Sequence, residues 1–169
     1  MKAGRRPRFL AKSELFENPF LRMVLKGSGH IEVRRNTGDQ RPLHDASAAL
    51  EAEQVVVVYP EGTSESSPPE YAPGRGKTGL VRLALSTGSP ILPVATWGGQ
   101  YVWRKTGRES LAFARPLWLK AGEPIDLSAH RDQVDDVHAL RELTDGVMGE
   151  LDTLVDELRA HYPRRWTQG

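Results

Sequence analysis

Apolar positions are unevenly spaced along the chain, and their spacing divides it into elements. Val55-Val56-Val57-Val58 runs without interruption into Tyr59-Pro60, and Ile91-Leu92-Pro93-Val94-Ala95 forms a second apolar run. Neither run shows clean alternation with polar residues, as expected of strands covered on both faces in a parallel sheet. Val55 to Tyr59 and Ile91 to Trp97 are therefore expected to be buried strands. Arg8 to Lys12 reads as a short strand, and Ile31 and Val33 alternate with Glu32 and Arg34 as a strand does. Leu117 to Lys120 suggests one more.

Helical spacing marks other segments. Leu15, Phe16, Phe20, Val24 and Leu25 predict a helix over Glu14 to Lys26, interrupted at Pro19. Asp45 to Glu53 reads as a short helix with Ala48, Ala49 and Ala52 on its small face. Thr78 to Thr87 reads as a helix closed by Gly88. Gln133 to Tyr162 carries the clearest signal. Val134, Val137, Leu140, Leu143, Val147, Leu151, Leu154, Val155 and Leu158 recur every three or four residues. Gly146 and Gly149 weaken its middle and leave room for two shorter helices. Ser64 to Gly76 reads as loop from its Ser, Pro and Gly content. Strands alternating with helices argue an α/β fold, a mixed but largely parallel sheet flanked by helices. Residues 1–169 suit one domain, with 163–169 as a frayed tail.

Composition narrows the function. The formal net charge of +1 does not suit a polycation made for nucleic acid. Lys2, Arg5, Arg6, Arg8 and Lys12 nevertheless precede the first acid, Glu14, and such a cluster suits anionic headgroups or phosphorylated substrates. The absence of cysteine removes thiol chemistry, Cys-ligated zinc and disulfides, which fits a cytoplasmic enzyme. No apolar run reaches the roughly 20 residues needed to span a bilayer, so association with a membrane is expected to be peripheral.

The candidate chemistry begins at Tyr59-Pro60-Glu61-Gly62-Thr63. Pro60 stops the strand's hydrogen-bonding ladder. Glu61 then lies just past the carboxyl end of a strand, where open α/β sheets place ligands. Gly62 permits close backbone approach, and Thr63 offers a hydroxyl and an N–H. As a bland alternative, this is a strand-to-loop turn. Gly76-Lys77-Thr78 hints at a nucleotide loop, but the first glycine of that motif would fall at Tyr71, and no strand leads into it. One His-x4-Asp spacing occurs, His130 to Asp135, flanked by Ser128 and Asp132 in what reads as helix-entry chemistry. His30, His44, His138 and His161 read as structural or solvated.

Several blocks, in order, resemble one family. Arg8-Phe9-Leu10-Ala11-Lys12 with Glu14-Leu15, Gly29-His30-Ile31-Glu32-Val33-Arg34-Arg35, Tyr59 to Thr63, and Pro90-Ile91-Leu92-Pro93-Val94 resemble successive blocks of the glycerophosphate-type acyltransferase domain. Arg75 to Gly79 with Arg82 to Leu85, and Gly122-Glu123-Pro124-Ile125, resemble the intervening helix and the closing turn. The resemblance implies acyl transfer from acyl-CoA or acyl carrier protein to a lysophospholipid or glycerophosphate acceptor, with no metal or redox cofactor. It assigns Lys12, Arg35, Glu61, Gly62 and Thr63 to substrate binding. Arg35 takes the place thought to grip the acceptor's phosphate, a role that suits a planar guanidinium. Ser64-Glu65 stands where the family commonly has Arg-Ser, which leaves the acceptor's identity open. The family's catalytic His-x4-Asp precedes all these blocks, so no catalytic residue is expected in this chain. The expectation is a glycerol-3-phosphate acyltransferase-like fold without its N-terminal part, the base lying upstream of Met1. Loss of a general base lowers rates by about 10² to 10⁴, so the chain as written is expected to be nearly inactive. A noncatalytic lipid- or membrane-binding fragment is the competing reading. Trp97, Tyr101, Trp103, Arg104 and Lys105 would then form an interface-seeking segment.

Overall fold

The structure, a computed structural model, describes residues 5, 7–33, 39–61, 75–102 and 115–166. Its first half is a three-stranded parallel sheet. β1 (Pro7–Lys12) is central, with β2 (Ile31–Val33) on one side and β3 (Val55–Val57) on the other. Leu10 faces Ile31 in one pair, and Pro7 faces Val55 in the other. Parallel neighbours need crossovers. These are α1 (Pro19–Gly27) and α2 (Arg41–Glu51).

Pro19 begins α1 rather than interrupting a longer helix. Asn18 caps it, its Oδ1 accepting the N–H groups of Phe20 at 3.0 Å and Leu21 at 3.2 Å. The preceding Ser13–Phe16 forms a separate 3-10 turn. Helix α2 starts earlier than Asp45, because Asp39 accepts the Arg41 N–H at 3.0 Å and Pro42 fits the first turn. Its phase also differs from expectation. Ala46 and Ala49 are buried, whereas Ala48 and Ala52 are exposed. Strand β3 is not covered on both faces. It lies at the sheet's edge, and Val55 is 41% exposed.

The second half is antiparallel. β4 (Val94–Trp97), the short α4 (Gly99–Val102) and β5 (Trp118–Ala121) follow α3 (Gly79–Thr87). Val94 faces Ala121 and Trp97 faces Trp118. Ala95 and Trp97 are buried while Val94 and Thr96 are exposed, so this strand too covers only one face. Ile91 stands apart, bridging Ile125.

α5 (Val137–His161) covers that face as one continuous helix of 25 residues. Asp136 caps it by accepting the N–H of His138 at 2.8 Å, and Ser128–Gln133 forms a 3-10 segment ahead of it. Gly146 and Gly149 are exposed and do not break α5. Packing of Leu140, Val147, Met148, Leu154 and Leu158 outweighs a propensity cost of about 1 kcal/mol per glycine. α3 joins the two halves. Leu83 packs with Ile31 and Ala46, while Val81, Ala84 and Leu85 pack with Leu140 and Val147. Gly88 ends α3 at φ +68°, donating its N–H to the Ala84 carbonyl at 2.8 Å.

Candidate functional site

The parallel register determines where the site forms. Phe9 faces Val57 across β1 and β3, so Lys12 and Pro60, each three residues on, leave the sheet at one carboxyl edge. Lys12 also faces Val33 of β2, so the segment that follows Val33 departs from that edge too. Lys12 is exposed at the end of β1, and Glu61 is half-buried just past β3. The structure thus brings Lys12 and Glu61 to the same end of adjacent strands. Arg35, Gly62 and Thr63 lie outside the described residues, as does most of the loop 64–76.

Backbone contacts hold this edge to the second half. The Lys77 N–H donates to the Pro60 carbonyl at 2.8 Å, fastening the lead into α3 against the end of β3. The neighbouring Gly76 is buried, and its carbonyl accepts from the Arg141 guanidinium at 2.8 Å. A Cβ on Gly76 would stand 2.7 Å from the Met148 side chain, so glycine permits this close approach to α5. Lys77 itself is exposed.

Burial pushes the Glu61 carboxyl above its ordinary range, and the negative charge of Asp152 adds to the effect. Asp152 on α5 is likewise raised, by burial first and then by Asp156. Sequence reasoning missed Asp152. Its only local signal is an Asp152/Asp156 pair at helical spacing, which says nothing about which strand end the pair approaches. A carboxyl with a raised pKa can donate a hydrogen bond when protonated and accept one from a hydroxyl when ionised.

That shift carries a pH-dependent cost. Folded Glu61 keeps its proton to higher pH than unfolded Glu61, so stability falls as pH rises from the ordinary glutamate range upward. Glu61→Gln carries no such charge. Its melting midpoint is expected to exceed the parent's at about pH 8 and to match it near about pH 3. Thermal melts at the two pH values check this, and an equal gain at both would exclude the carboxylate charge as the cause.

Among the described residues the one His-x4-Asp spacing forms no base–aspartate pair. Asp135 pairs with Arg82 at 3.3 Å, and His130 lies in the 3-10 segment before α5 with its Nδ1 buried. The His130–Asp135 spacing is therefore not a dyad. His30 Nδ1 accepts the Phe9 N–H at 3.3 Å and its ring stands edge-on to Phe9, a structural role. His44 meets Asp45 at 3.9 Å on the exposed side of α2. The aromatics of the proposed interface segment are also committed elsewhere. Trp97 is buried beneath the Arg159 guanidinium, and Tyr101 stacks on Tyr162 at 5.6 Å. Trp103, Arg104 and Lys105 lie outside the described residues.

Comparison with known proteins bears on the family and the fold. The family model described as Acyltransferase matches residues 1–97, more than half of the chain. The chain belongs to the acyltransferase family. Its fold is similar to the crystal structure of the 1-acyl-sn-glycerophosphate (LPA) acyltransferase PlsC from Thermotoga maritima, with a TM-score of 0.66 and 26% identity. That likeness covers 94% of this chain and 59% of the PlsC chain, so the chain spans less than two thirds of that protein's length. No curated protein matches the sequence. Among the described residues, no helix is long and apolar enough to cross a membrane.

Proposed function

We propose that this chain forms the acceptor-binding side of an acyltransferase that transfers a fatty acyl group from acyl-CoA or acyl carrier protein to a lysophospholipid or glycerophosphate, at a peripheral membrane surface. The observation that carries this reading is the convergence of Lys12 and Glu61 at the carboxyl edge of neighbouring parallel strands. Lys12 supplies a cation for the acceptor's phosphate. Glu61 supplies a carboxyl for its hydroxyl groups. Arg35, in the segment after β2, is proposed as the second phosphate contact, with Gly62 and Thr63 completing the pocket. In the reaction the acceptor's hydroxyl oxygen bonds to the acyl carbonyl carbon, the carbon–sulfur bond of the thioester breaks, and the hydroxyl proton passes through a base to the departing thiol. Holding the phosphate orients the hydroxyl toward the thioester, which removes part of the entropic barrier.

Lys12→Ala is expected to weaken binding of glycerol 3-phosphate about tenfold, the value of one charge-assisted hydrogen bond. Isothermal titration of parent and variant measures this. An unchanged affinity would take Lys12 out of the site.

A second reading is favoured by the ion pair of Asp135 with Arg82, which leaves His130 without its prospective aspartate. On that reading these residues bind the lipid acceptor and do not transfer acyl groups. Release of free thiol from acyl-CoA in the presence of lysophosphatidic acid separates the two. Because the chain as written is expected to be nearly inactive on either reading, the assay uses the protein isolated from its own cell: turnover there supports the enzyme, whereas acceptor binding without turnover supports the noncatalytic reading.

A further inference from the structure

Helix α1 is amphipathic in the wrong sense for a helix that serves only to cover a sheet. It contains no buried residue. Phe20 is 67% exposed and Met23 66% exposed, and Leu21 and Val24 are exposed as well. At about 100° per residue these four side chains share one side of the helix, and Arg22 and Lys26 fall together beside them. Leu25, half-buried, lies on the side turned to the protein. An ordinary surface helix turns its apolar stripe inward. Here the stripe points out, and α1 itself carries two cations and no carboxylate.

We infer that the outward face of α1 is a docking surface for an anionic phospholipid bilayer. Phe20, Leu21, Met23 and Val24 would enter the acyl boundary while Arg22 and Lys26 remain at headgroup level, the arrangement of an interfacial helix. The exposed Glu14 and Glu17 lie outside α1, ahead of its Asn18 cap. Position supports the assignment. α1 follows the turn that leaves β1 at Lys12, so its first residues stand at the sheet edge that carries the candidate site. A protein seated on α1 would present that edge to lipid in the bilayer plane. The inference rests on the proposed lipid-phosphate acceptor, and it is tested separately from it.

The test is sedimentation of the intact chain with vesicles of phosphatidylcholine and phosphatidylglycerol, compared with phosphatidylcholine alone. The parent is expected to sediment with the anionic vesicles, less so at high salt. The Phe20→Ser/Met23→Ser variant is expected to lose roughly tenfold or more in vesicle affinity. Both side chains are solvent-exposed, so its melting midpoint should stay close to the parent's and its glycerol 3-phosphate affinity should be unchanged. Arg22→Gln/Lys26→Gln is expected to reduce the preference for anionic lipid. Failure of the parent to bind vesicles, or equal binding by parent and Phe20→Ser/Met23→Ser, would overturn the assignment. So would concentration-dependent dimerisation abolished by that variant, because a second copy would then cover the face. Binding of glycerol 3-phosphate without vesicle binding sinks the docking surface alone. Vesicle binding without glycerol 3-phosphate binding sinks the acceptor reading alone.

Discussion

Leu140→Ala is expected to lower the stability of the chain by about 3 kcal/mol, within the range of roughly 2–5 kcal/mol for a large-to-small change in a close-packed core. Leu140 is 1% exposed and packs with Val81, Ala84, Leu85, Ile91, Leu127 and Val147. These residues come from α3, α5 and the segments between them, so a cavity there would loosen the joint between the two halves. For a chain of this size about 3 kcal/mol corresponds to a fall of roughly 6–12 °C in melting midpoint. Thermal or urea denaturation measures it. A loss below about 1 kcal/mol would mean that Leu140 is not a core residue. The effect should also reach the site, because the lead into α3 is bonded to Pro60.

Gly98→Ala is expected to be at least as damaging, by a different mechanism. Gly98 follows β4 with φ +107°, a conformation that an L side chain rarely adopts. A Cβ there would stand 2.5 Å from the Pro116 carbonyl oxygen and 2.9 Å from the Tyr162 hydroxyl. That hydroxyl donates to the same carbonyl at 2.8 Å, so the new methyl group would press on a hydrogen bond and on backbone that cannot rotate away. Backbone strain of about 1–3 kcal/mol combines with a similar overpacking cost, giving about 3 kcal/mol or more. Gly88 provides the control. Its φ is +68°, but the atoms facing its would-be Cβ belong to the Arg131 guanidinium, which can swing aside. Gly88→Ala should therefore lose only about 1 kcal/mol. Comparable losses at the two glycines in chemical denaturation would contradict this account.

Much of the fold was legible because its signals are local. The period of α5, the glycine that ends α3 and the alternation of Ile31 and Val33 each depend on near neighbours in sequence. Strand burial was not legible in this way. Four consecutive valines look the same in a central strand and an edge strand, and only the sheet order puts Val55 at an edge. The start of α2 was readable in Asp39, whose carboxylate accepts the Arg41 N–H, and in the first-turn Pro42, but the alanine-rich stretch after Asp45 drew the boundary later. The alternation of Ala95 and Trp97 with Val94 and Thr96 is present in the sequence, though Ile91, Leu92 and Pro93 mask it as one continuous apolar run.

The candidate site divides along the same line. Lys12 and Glu61 could be placed because each ends a strand, and parallel pairing then brings them to one edge. Asp152 could not, because its approach to Glu61 depends on how α5 docks. Trp97 and Tyr101 left two readings open for a related reason. Aromatics near cations suit a membrane interface, but these two are used internally, against Arg159 and Tyr162. Exposed apolar side chains gather on α1, whose periodicity was visible but whose outward orientation was not.

The proposed function places the acceptor's phosphate at the carboxyl edge of the parallel sheet. Titrating the isotopically labelled chain with glycerol 3-phosphate and following its amide resonances tests this directly. Saturable shifts are expected at Lys12–Ser13 and Tyr59–Glu61, with none on adding glycerol. Shifts confined to the opposite edge, around Arg8 and His30, or an equal response to glycerol, would contradict it.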